Sequence, residues 1–444
     1  MRRKDARRAP AVMGASTGAA RRAPGGRGTQ LRRLDRMDGL LYACKRLRIQ
    51  RRSSRRRMRA MHRELWMSGA YDVIVIGLGA MGSSACYHLA ARGHRVLGLD
   101  QYHLAHDRGS SHGETRLIRK AYFENPSYVP LLRRAYELWE NLELECGRTL
   151  FERAGLVTFG RPGASRVFDG ARASGRLYDI PLEEFSREQA IGRWPIYRPP
   201  EGFAAAFEPG AGFLYAERCV LAHANEARKR GAELRENEPV VDFAIENRQA
   251  VVRTACGRYT AARLIVAGGG WSASLLRELV LPLTLRKMML GWFPATSDHA
   301  AEKGAPGFVF DLDDDFYYGF PQIDGESIKV AGHRRFEPLA APEDKDRLPP
   351  SAQRIAPLRQ FVRDCLPFAQ DEMLRTSHCI YTMTPDEDFI IDRHPTAPEL
   401  VFAAGFSGHG FKFASVVGEI LADLAIEGET AQPISFLSAA RFSA

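Results

Sequence analysis

Four residues between positions 77 and 100 have the types and spacing that bind the phosphates and sugar of a dinucleotide. Gly77, Gly79 and Gly82 fill a G-x-G-x-x-G pattern, and Asp100 follows them. The first glycine permits a tight turn, the second lets backbone approach a pyrophosphate, and the third lets a helix pack closely. The carboxylate of Asp100 can accept hydrogen bonds from a ribose diol. These residues predict a dinucleotide site without distinguishing FAD from NAD.

The segments around these residues are the ones that a dinucleotide-binding unit needs. Residues 73–76 form a β-branched run typical of a buried strand, 83–91 look helical, and 96–99 predict a second strand. The N-terminus of the helix would point unpaired N–H groups and its positive dipole end at the phosphates. Because strand, glycines, helix, strand and acid occur in order, the prediction is more specific than the glycines alone.

Two further predicted strands end in glycines. The strand at 264–267 is followed by Gly268, and the strand at 400–404 leads through Gly408 and Gly410 into a helix. A strand that ends in several glycines indicates that another group approaches the backbone closely. We expect these glycines to contribute to the same binding site.

The order of the predicted elements indicates an α/β fold with two domains. We expect a discontinuous, Rossmann-like dinucleotide-binding domain and a second, α+β substrate domain built on an antiparallel sheet. The first domain is predicted to comprise 70–150, 212–280 and 376–440, and the second 151–211 and 281–375.

The positive charge of the chain is concentrated at its N-terminus. The 444 residues carry a net charge of +10, but residues 1–66 hold 21 Lys and Arg against 4 Asp and Glu, which leaves the remainder acidic. This segment could be a targeting presequence, a nucleic-acid-binding arm or a disordered extension translated from upstream of a start at Met67. We favour the disordered extension because the segment lacks core-forming periodicity, and we expect no nucleic-acid partner.

The seven cysteines are odd in number and form no C-x-x-C pair. This spacing argues against a disulfide framework and against a zinc site, so we expect no metal. It is typical of a reducing compartment, and no stretch is long enough to span a membrane. We therefore expect a cytoplasmic protein without a membrane partner.

Four motifs after the glycine pattern resemble the family of monomeric sarcosine oxidase and N-methyl-tryptophan oxidase, to which the mammalian peroxisomal pipecolate oxidase is related. They are GSSHGETRLIRKAY (109–122), YYGFP (317–321), CIYTMTPDEDFIIDRHP (379–395) and AAGFSGHGFKFAS (403–415). The similarity runs in order from about Tyr71 to the C-terminus. It implies a two-domain flavoprotein oxidase, expected to be a monomer, with FAD joined through its 8α-methyl group to a cysteine.

The resemblance also implies roles for individual residues. Cys379 falls on the position that carries the flavin, and Lys329 matches a lysine that promotes the reaction with oxygen. Arg119 and Lys412 match the pair that holds the substrate carboxylate, as a planar guanidinium and a point charge would. Polar residues beside the flavin match His112 and Arg116, and residues that line the substrate pocket match Tyr318, His333 and Tyr381.

Two positions depart from the family pattern. Ser111 stands where many members have a second histidine, and Val309 stands where the sarcosine enzyme has a methionine. Both leave the expected dinucleotide and carboxylate sites intact. A smaller residue at position 309 would leave room for a bulkier substrate side chain, so we expect a substrate other than sarcosine itself.

The resemblance thus implies an oxidase of secondary amino acids that converts the C–N bond to an imine and reduces O2 to hydrogen peroxide. An N-methyl substrate would release formaldehyde. Within enzymes, the alternatives are an oxidase of a cyclic amino acid such as pipecolate or proline, and an amino acid dehydrogenase that uses FAD or NAD. A basic nucleic-acid-binding protein and a catalytically silent flavin-binding scaffold are alternatives from other classes.

Overall fold

The computed structural model describes residues 71–347 and 349–442, so the expectations for segment 1–66 lie outside the described residues. Within the described ranges, no helix is long and apolar enough to cross a membrane. The α-helices of these ranges are α1 (Ala80–Ala91), α2 (Val129–Cys146), α3 (Arg166–Leu177), α4 (Arg187–Arg193), α5 (Ala216–Lys229), α6 (Ser272–Leu275), α7 (Ala352–Cys365) and α8 (Ala414–Ile426).

Twenty strands alternate with these helices in the described part of the chain. They are β1 (Tyr71–Ile76), β2 (Val96–Leu99), β3 (Thr115–Ile118), β4 (Phe151–Glu152), β5 (Leu156–Gly160), β6 (Glu183–Ser186), β7 (Ala204–Glu208), β8 (Gly212–Tyr215), β9 (Glu233–Arg235), β10 (Val240–Glu246), β11 (Gln249–Thr254), β12 (Arg258–Val266), β13 (Thr284–Pro294), β14 (Gly307–Asp311), β15 (Phe316–Phe320), β16 (Ser327–Gly332), β17 (Glu337–Leu339), β18 (Arg375–Met383), β19 (Ile390–Arg393) and β20 (Leu400–Ala404).

The first sheet has β1 between β2 and β12, and all three strands run parallel. Ile74 of β1 lies between Leu97 of β2 and Leu264 of β12. β9 and β20 continue the parallel order, whereas β10, β11 and β19 add antiparallel strands. Helix α1 packs against α5 and α8 beside this sheet. The predicted Rossmann-like unit is therefore confirmed.

Gly82 lets α1 pack closely against the turn that precedes it. A Cβ atom at Gly82 would lie 1.7 Å from the carbonyl oxygen of Gly77, which no larger residue could tolerate. The strand on the other side of the turn is continuously buried from Val73 to Ile76. The third glycine of the pattern thus has the packing role that its position predicted.

The second sheet contains nine strands in the order β17-β13-β16-β15-β14-β5-β7-β6, with β18 paired to β13. Its neighbours run antiparallel except β14 and β5, which are parallel. The antiparallel sheet expected in 281–375 is therefore present, and it also includes strands from 151–211.

One strand of this sheet differs from the expectation. Residues from 376 onward were expected in the dinucleotide-binding domain, but β18 pairs with β13 over its whole length, and Cys379 lies opposite Met288. The last six residues of β18 are all buried, and a strand buried on both faces fits either sheet by its sequence. Tertiary packing decides the pairing, and the remaining domain boundaries stay predictions.

A three-stranded sheet, β3-β8-β4, organises the polar segment after Asp100. Thr115–Ile118 forms β3, for which the sequence analysis predicted no strand, and pairs antiparallel with β8. Arg116 lies on this strand opposite Leu214. The pairing fixes the backbone of the motif that carries several candidate site residues.

Candidate active site

A cavity of about 400 Å³ is lined by residues from both large sheets and from the segment before β3. Its wall brings together sequence motifs that are more than 300 positions apart. The predicted site residues in the wall are Gly77, Gly79, Asp100, Arg116, Gly268, Cys379, Tyr381, Gly408 and Gly410. The other predicted residues, Gly82, His112, Arg119, Tyr318, Lys329, His333 and Lys412, do not belong to this wall.

Asp100, which follows β2, holds the turn after β1 in place. Asp100 is buried and accepts hydrogen bonds from the backbone N–H groups of Leu78, at 2.7 Å, and Tyr102, at 2.9 Å. Burial raises the pKa of Asp100, although these two hydrogen bonds oppose the shift. The carboxylate therefore shapes the glycine turn as well as lining the cavity.

The glycines at the cavity have different physical roles. Gly77 has φ of 91°, and a Cβ there would lie 2.5 Å from the carbonyl oxygen of Ala267. A Cβ at Gly79 would meet only the Ser111 Oγ, at 3.5 Å. Gly77 therefore permits the turn, while Gly79 leaves its backbone open to the cavity, as expected for a phosphate-binding loop.

The glycines of the C-terminal motif are required by aromatic neighbours. Gly408 has φ of 80°, and a Cβ there would lie 2.3 Å from the Tyr381 ring. A Cβ at Gly410 would lie 2.6 Å from the Phe406 side chain. The absence of side chains thus lets this loop pack on β18 and still form part of the cavity wall.

Cys379 lies at a corner of the cavity beside a buried cation. Its Sγ is 3.6 Å from Nη2 of Arg116 and 3.7 Å from the carbonyl oxygen of Ser110. Arg116 also donates to the carbonyl oxygens of Thr115, at 2.8 Å, and Ser110, at 2.9 Å. Burial opposes the charge on Arg116, but Cys379 and neighbouring phenols raise its pKa. This corner therefore places the Cys379 sulfur beside a fixed positive charge.

His112 contributes a neutral ring to the same region. Burial, together with the charges of Arg116 and Lys345, lowers the pKa of His112 to about 3. Its Nε2 is buried and has no hydrogen-bond partner among the described residues. The cation of this corner is therefore Arg116, and His112 has a free polar atom for a bound group.

Lys329 joins the second sheet to the segment that carries His112 and Arg116. Its Nζ donates to the carbonyl oxygens of Gly113, at 2.6 Å, and Thr115, at 2.7 Å, and lies 4.0 Å from the Phe320 ring centroid. Burial and the charge of Arg116 lower the pKa of Lys329 well below its usual value. A negative charge that develops nearby would raise this pKa and favour the ammonium form.

Arg119 and Lys412 lie near the same aromatic ring, that of Tyr122. The guanidinium carbon of Arg119 is 5.0 Å and Nζ of Lys412 is 5.2 Å from the centroid of Tyr122. Lys412 also donates to the carbonyl oxygen of His409 at 2.6 Å. Burial and the charge of Arg119 lower the pKa of Lys412 to about 7. An anion at this position would gain two buried cations.

Glu124 supplies a carboxylate to this pair. Its Oε1 is 2.5 Å from Nη2 of Arg119, whereas its Oε2 is buried without a hydrogen-bond partner among the described residues. Burial alone would raise the pKa of Glu124, but Arg119, His409 and Lys412 lower it to about 2. The sequence analysis missed Glu124, although an acid within the GETRLIRKAYFE stretch was the available clue.

His333, Tyr381 and Tyr318 form a chain of weak hydrogen bonds. Tyr381 Oη is 3.3 Å from Nδ1 of His333 and 3.4 Å from Tyr318 Oη. Burial lowers the pKa of His333 to about 4 and raises the pKa of both tyrosines. All three are therefore uncharged near neutral pH, next to the cations of the anion-binding site.

The two departures from the family pattern lie in different places. Ser111 Oγ accepts a hydrogen bond from the backbone N–H of Ala80 at 3.2 Å, at the start of α1. Ser111 therefore belongs to the cavity wall beside the glycine turn. Val309 is buried and lies opposite Tyr318 across β14 and β15, which is consistent with its expected place behind the substrate pocket.

The amino-acid sequence matches the family described as FAD dependent oxidoreductase over residues 72–424. The chain belongs to this family. Monomeric sarcosine oxidase of Streptomyces avermitilis is 40% identical over 384 residues, which cover 85% of this chain and 99% of the relative. N-methyl-L-tryptophan oxidase of Yersinia pestis is 35% identical over 375 residues, which cover 84% and 99%. The predicted family resemblance is confirmed.

The fold of this chain is also similar to that of a solved structure. NikD, an unusual amino acid oxidase essential for nikkomycin biosynthesis, is 26% identical in its open form and has a TM-score of 0.73. The superposition covers 83% of this chain and 97% of NikD. The chain is therefore an FAD-dependent enzyme with the fold of an amino acid oxidase.

The residues present fit FAD as the dinucleotide. The backbone at Gly79 is open for the pyrophosphate, and Asp100 is in the cavity wall for a ribose. Another part of the wall contains Cys379 and Arg116, whose chemistry suits attachment and charge stabilisation of the ring system. The unpartnered Nε2 of His112 is a further polar atom for that ring system.

Proposed function

We propose that this enzyme is an oxidase of secondary α-amino acids of the sarcosine or N-methyl-L-tryptophan type. The observation that carries this proposal is the placement of Arg119 and Lys412 on the Tyr122 ring, with the Glu124 carboxylate bound to Arg119. A substrate carboxylate can take the position of Glu124 on Arg119 and also approach Lys412. The curated relatives act, by their names, on sarcosine and N-methyl-L-tryptophan.

The groups around the bound carboxylate favour an uncharged amine. His333, Tyr318 and Tyr381 are uncharged near neutral pH, whereas Arg119 is a cation close to His333, and Lys412, with a pKa of about 7, is partly charged there. A substrate ammonium placed among them would be repelled by the cations and stripped of water, so its pKa would fall. The amine therefore loses its proton to solvent and keeps the lone pair that oxidation requires.

FAD, when bound, supplies an acceptor for two electrons that O2 can subsequently remove. The amine loses two electrons and two protons to become an imine, and O2 gains them to become hydrogen peroxide. Water then hydrolyses the imine, with release of formaldehyde when the methyl carbon is oxidised. Lys329 would promote the reaction with O2, because its protonated side chain, buried nearby, would stabilise the negative charge that develops on O2.

Cys379 is the residue proposed to bind the cofactor covalently. Its Sγ is 3.6 Å from the Arg116 guanidinium, so Cys379 would hold the cofactor through a thioether to its 8α carbon beside a fixed positive charge. Arg116 is itself fixed by two backbone carbonyls, so its charge stays near the sulfur. The reaction would retain the flavin after denaturation of the protein.

Oxygen uptake by the purified holoenzyme tests the proposed function. The substrates are sarcosine, N-methyl-L-tryptophan, pipecolate and proline, and the test variant is Arg119→Met. We expect turnover of at least one N-methyl amino acid and a loss of about 100-fold or more in kcat/KM in the variant, because a charged, buried hydrogen-bonding pair is removed. Turnover only of pipecolate or proline would favour a cyclic substrate, and no turnover of any secondary amine would refute the proposal.

Arg193→Met is a matched control for this experiment. Arg193 also pairs with a glutamate, Glu183, at 2.5 Å and lies on aromatic rings, 4.7 Å from the centroid of Trp194. It belongs to neither the cavity wall nor the anion-binding site. We expect this control to retain full activity.

A further inference from the structure

Two phenylalanines connect the anion-binding cations to the uncharged end of the site. The Phe123 and Phe316 rings are edge to face, with centroids 5.6 Å apart. On one side, the guanidinium carbon of Arg119 is 4.8 Å from the Phe123 centroid. On the other side, the Phe316 ring is 5.1 Å from the His333 ring. Phe123 and Phe316, which we call the phenylalanine wall, thus span the distance from Arg119 to His333.

The phenylalanine wall is supported from behind but not fully covered in front. Phe316 and Val309 are buried in a small apolar cluster, against which Phe123 and Tyr318 pack. Phe123 itself is only half-buried. Phe123 thus keeps partial solvent exposure while its ring centroid lies 4.8 Å from the buried Arg119 guanidinium, and an apolar group that packed on this residue would be stabilised by leaving water.

The contacts of the wall indicate which part of a substrate would cover it. In an α-amino acid, the carboxylate, the nitrogen and the side chain are attached to one carbon atom. With the carboxylate on Arg119 and Lys412 and the nitrogen facing His333 and Tyr381, the surface that joins these groups is the phenylalanine wall. The side chain is the remaining substituent that can reach this surface.

We propose that the phenylalanine wall binds the side chain of the substrate and gives the enzyme a preference for secondary α-amino acids with an apolar side chain over sarcosine. This inference rests on the proposed function, since it places the substrate carboxylate on Arg119. A charged or hydroxylated side chain would lose hydration at the wall without gaining a hydrogen-bond partner from either ring. Sarcosine has no side chain and would leave the exposed part of Phe123 uncovered.

Steady-state kinetics with N-methyl-L-leucine and sarcosine test this inference on the holoenzyme. We expect kcat/KM to be at least about ten-fold higher for N-methyl-L-leucine, because a hydrophobic pocket discriminates by about that factor for a single methylene group. The Phe123→Ala variant should lose most of this preference, with a much larger fall in kcat/KM for N-methyl-L-leucine than for sarcosine. Phe123→Leu should restore a large part of the preference, because it returns apolar surface to the wall.

Phe185→Ala is the matched control for a general effect of removing an aromatic ring. Phe185 is also half-buried, lies 5.0 Å from an arginine guanidinium and packs edge to face on Trp194 at 5.5 Å. It belongs to the apolar cluster of the second sheet, outside the site. We expect this variant to keep the wild-type substrate preference.

Calorimetric binding of acetate and 4-methylpentanoate to the holoenzyme gives a second measurement, which does not require turnover. Phe123→Ala should weaken 4-methylpentanoate binding about ten-fold more than it weakens acetate binding. A wild-type preference for sarcosine, or an equal loss for both substrates and both carboxylates in Phe123→Ala, would overturn the inference. If no secondary amine were oxidised but the carboxylates behaved as expected, the proposed function would fail and the apolar subsite would stand.

Discussion

Replacement of Glu124 by glutamine should tighten the binding of carboxylate ligands. In the structure, Glu124 places its own carboxylate on Arg119 at 2.5 Å, and both side chains are largely buried. A ligand carboxylate must displace Glu124 before it can use the guanidinium. Glutamine has nearly the same shape but no charge, so it should compete less well for Arg119 while leaving the surrounding packing intact.

The magnitude follows from the pKa of Glu124, which is lowered from 4.5 to about 2. A shift of this size corresponds to about 3 kcal/mol in favour of the ionised form in the folded state. The pKa is depressed by folding, so this stabilisation is complete above pH 4.5 and is lost as the pH falls towards 2. If about half of this stabilisation must be lost when a ligand displaces Glu124, Glu124→Gln should bind acetate about ten-fold more tightly than wild type.

Calorimetry of acetate binding at pH 6, where Lys412 is protonated, measures this effect. Without ligand, Glu124→Gln should be about 2–3 kcal/mol less stable than wild type, because Arg119 is left buried without an ionised partner. Acetate should restore more stability in the variant than in wild type, since it supplies the missing charge. Both differences can be read from thermal unfolding with and without acetate.

Glu226→Gln separates this effect from a general loss of a buried ion pair. Glu226 is also largely buried and pairs with two cations, Lys229 at 2.6 Å and Arg230 at 2.8 Å. This control is expected to lose stability without any change in acetate affinity. Equal or weaker acetate binding by Glu124→Gln would show that Glu124 does not occupy the ligand position.

Three further changes test other parts of the site. Acetate binding should weaken by up to about ten-fold per pH unit above pH 7, because the pKa of Lys412 is about 7 and a bound anion favours the protonated form of Lys412. In calorimetry, Lys412→Met should abolish this pH dependence. Cys379→Ser should lose the flavin fluorescence that stays with acid-precipitated protein. The control Cys365→Ser, which alters another buried thiol, should retain this fluorescence. Retention of the fluorescence by both variants would refute the covalent link. In stopped-flow measurements, Lys329→Met should slow reoxidation of the reduced enzyme by O2 about 100-fold or more, with little effect on anaerobic reduction by substrate. An equal fall in the rates of both half-reactions would contradict the role assigned to Lys329.

The dinucleotide-binding part of the fold could be predicted from the sequence because its interactions are local. The β1–α1–β2 unit lies within residues 71–100, and Gly82 and Asp100 act on backbone of this same unit. Short-range sterics and hydrogen bonds fix this unit, so its glycine spacing is informative. The observed strands and helix differ from the predicted ones only in their first residues.

The pairing of β18 with β13 could not be predicted in the same way. Burial on both faces removes the alternation of polar and apolar residues that would identify a partner sheet. Cys379 consequently lies on the second sheet, although its motif suggested the dinucleotide-binding domain.

The charges of the site residues also depend on burial, which the sequence does not show. His112 and Lys412 resembled cations, but burial and neighbouring cations lower their pKa values to about 3 and about 7. Glu124 was overlooked because its significance comes from the contact with Arg119. The expected monomeric state, the cytoplasmic location and the absence of a nucleic-acid partner stay predictions.

Anaerobic titration of the purified holoenzyme with a secondary amino acid tests the central proposal most directly. The visible absorbance of the bound flavin should be bleached by an N-methyl amino acid and should return when O2 is admitted, with one hydrogen peroxide formed per substrate oxidised. In Arg119→Met, bleaching should require a much higher substrate concentration. An oxidised flavin spectrum that no secondary amino acid bleaches, at any concentration tested, would contradict the proposed function.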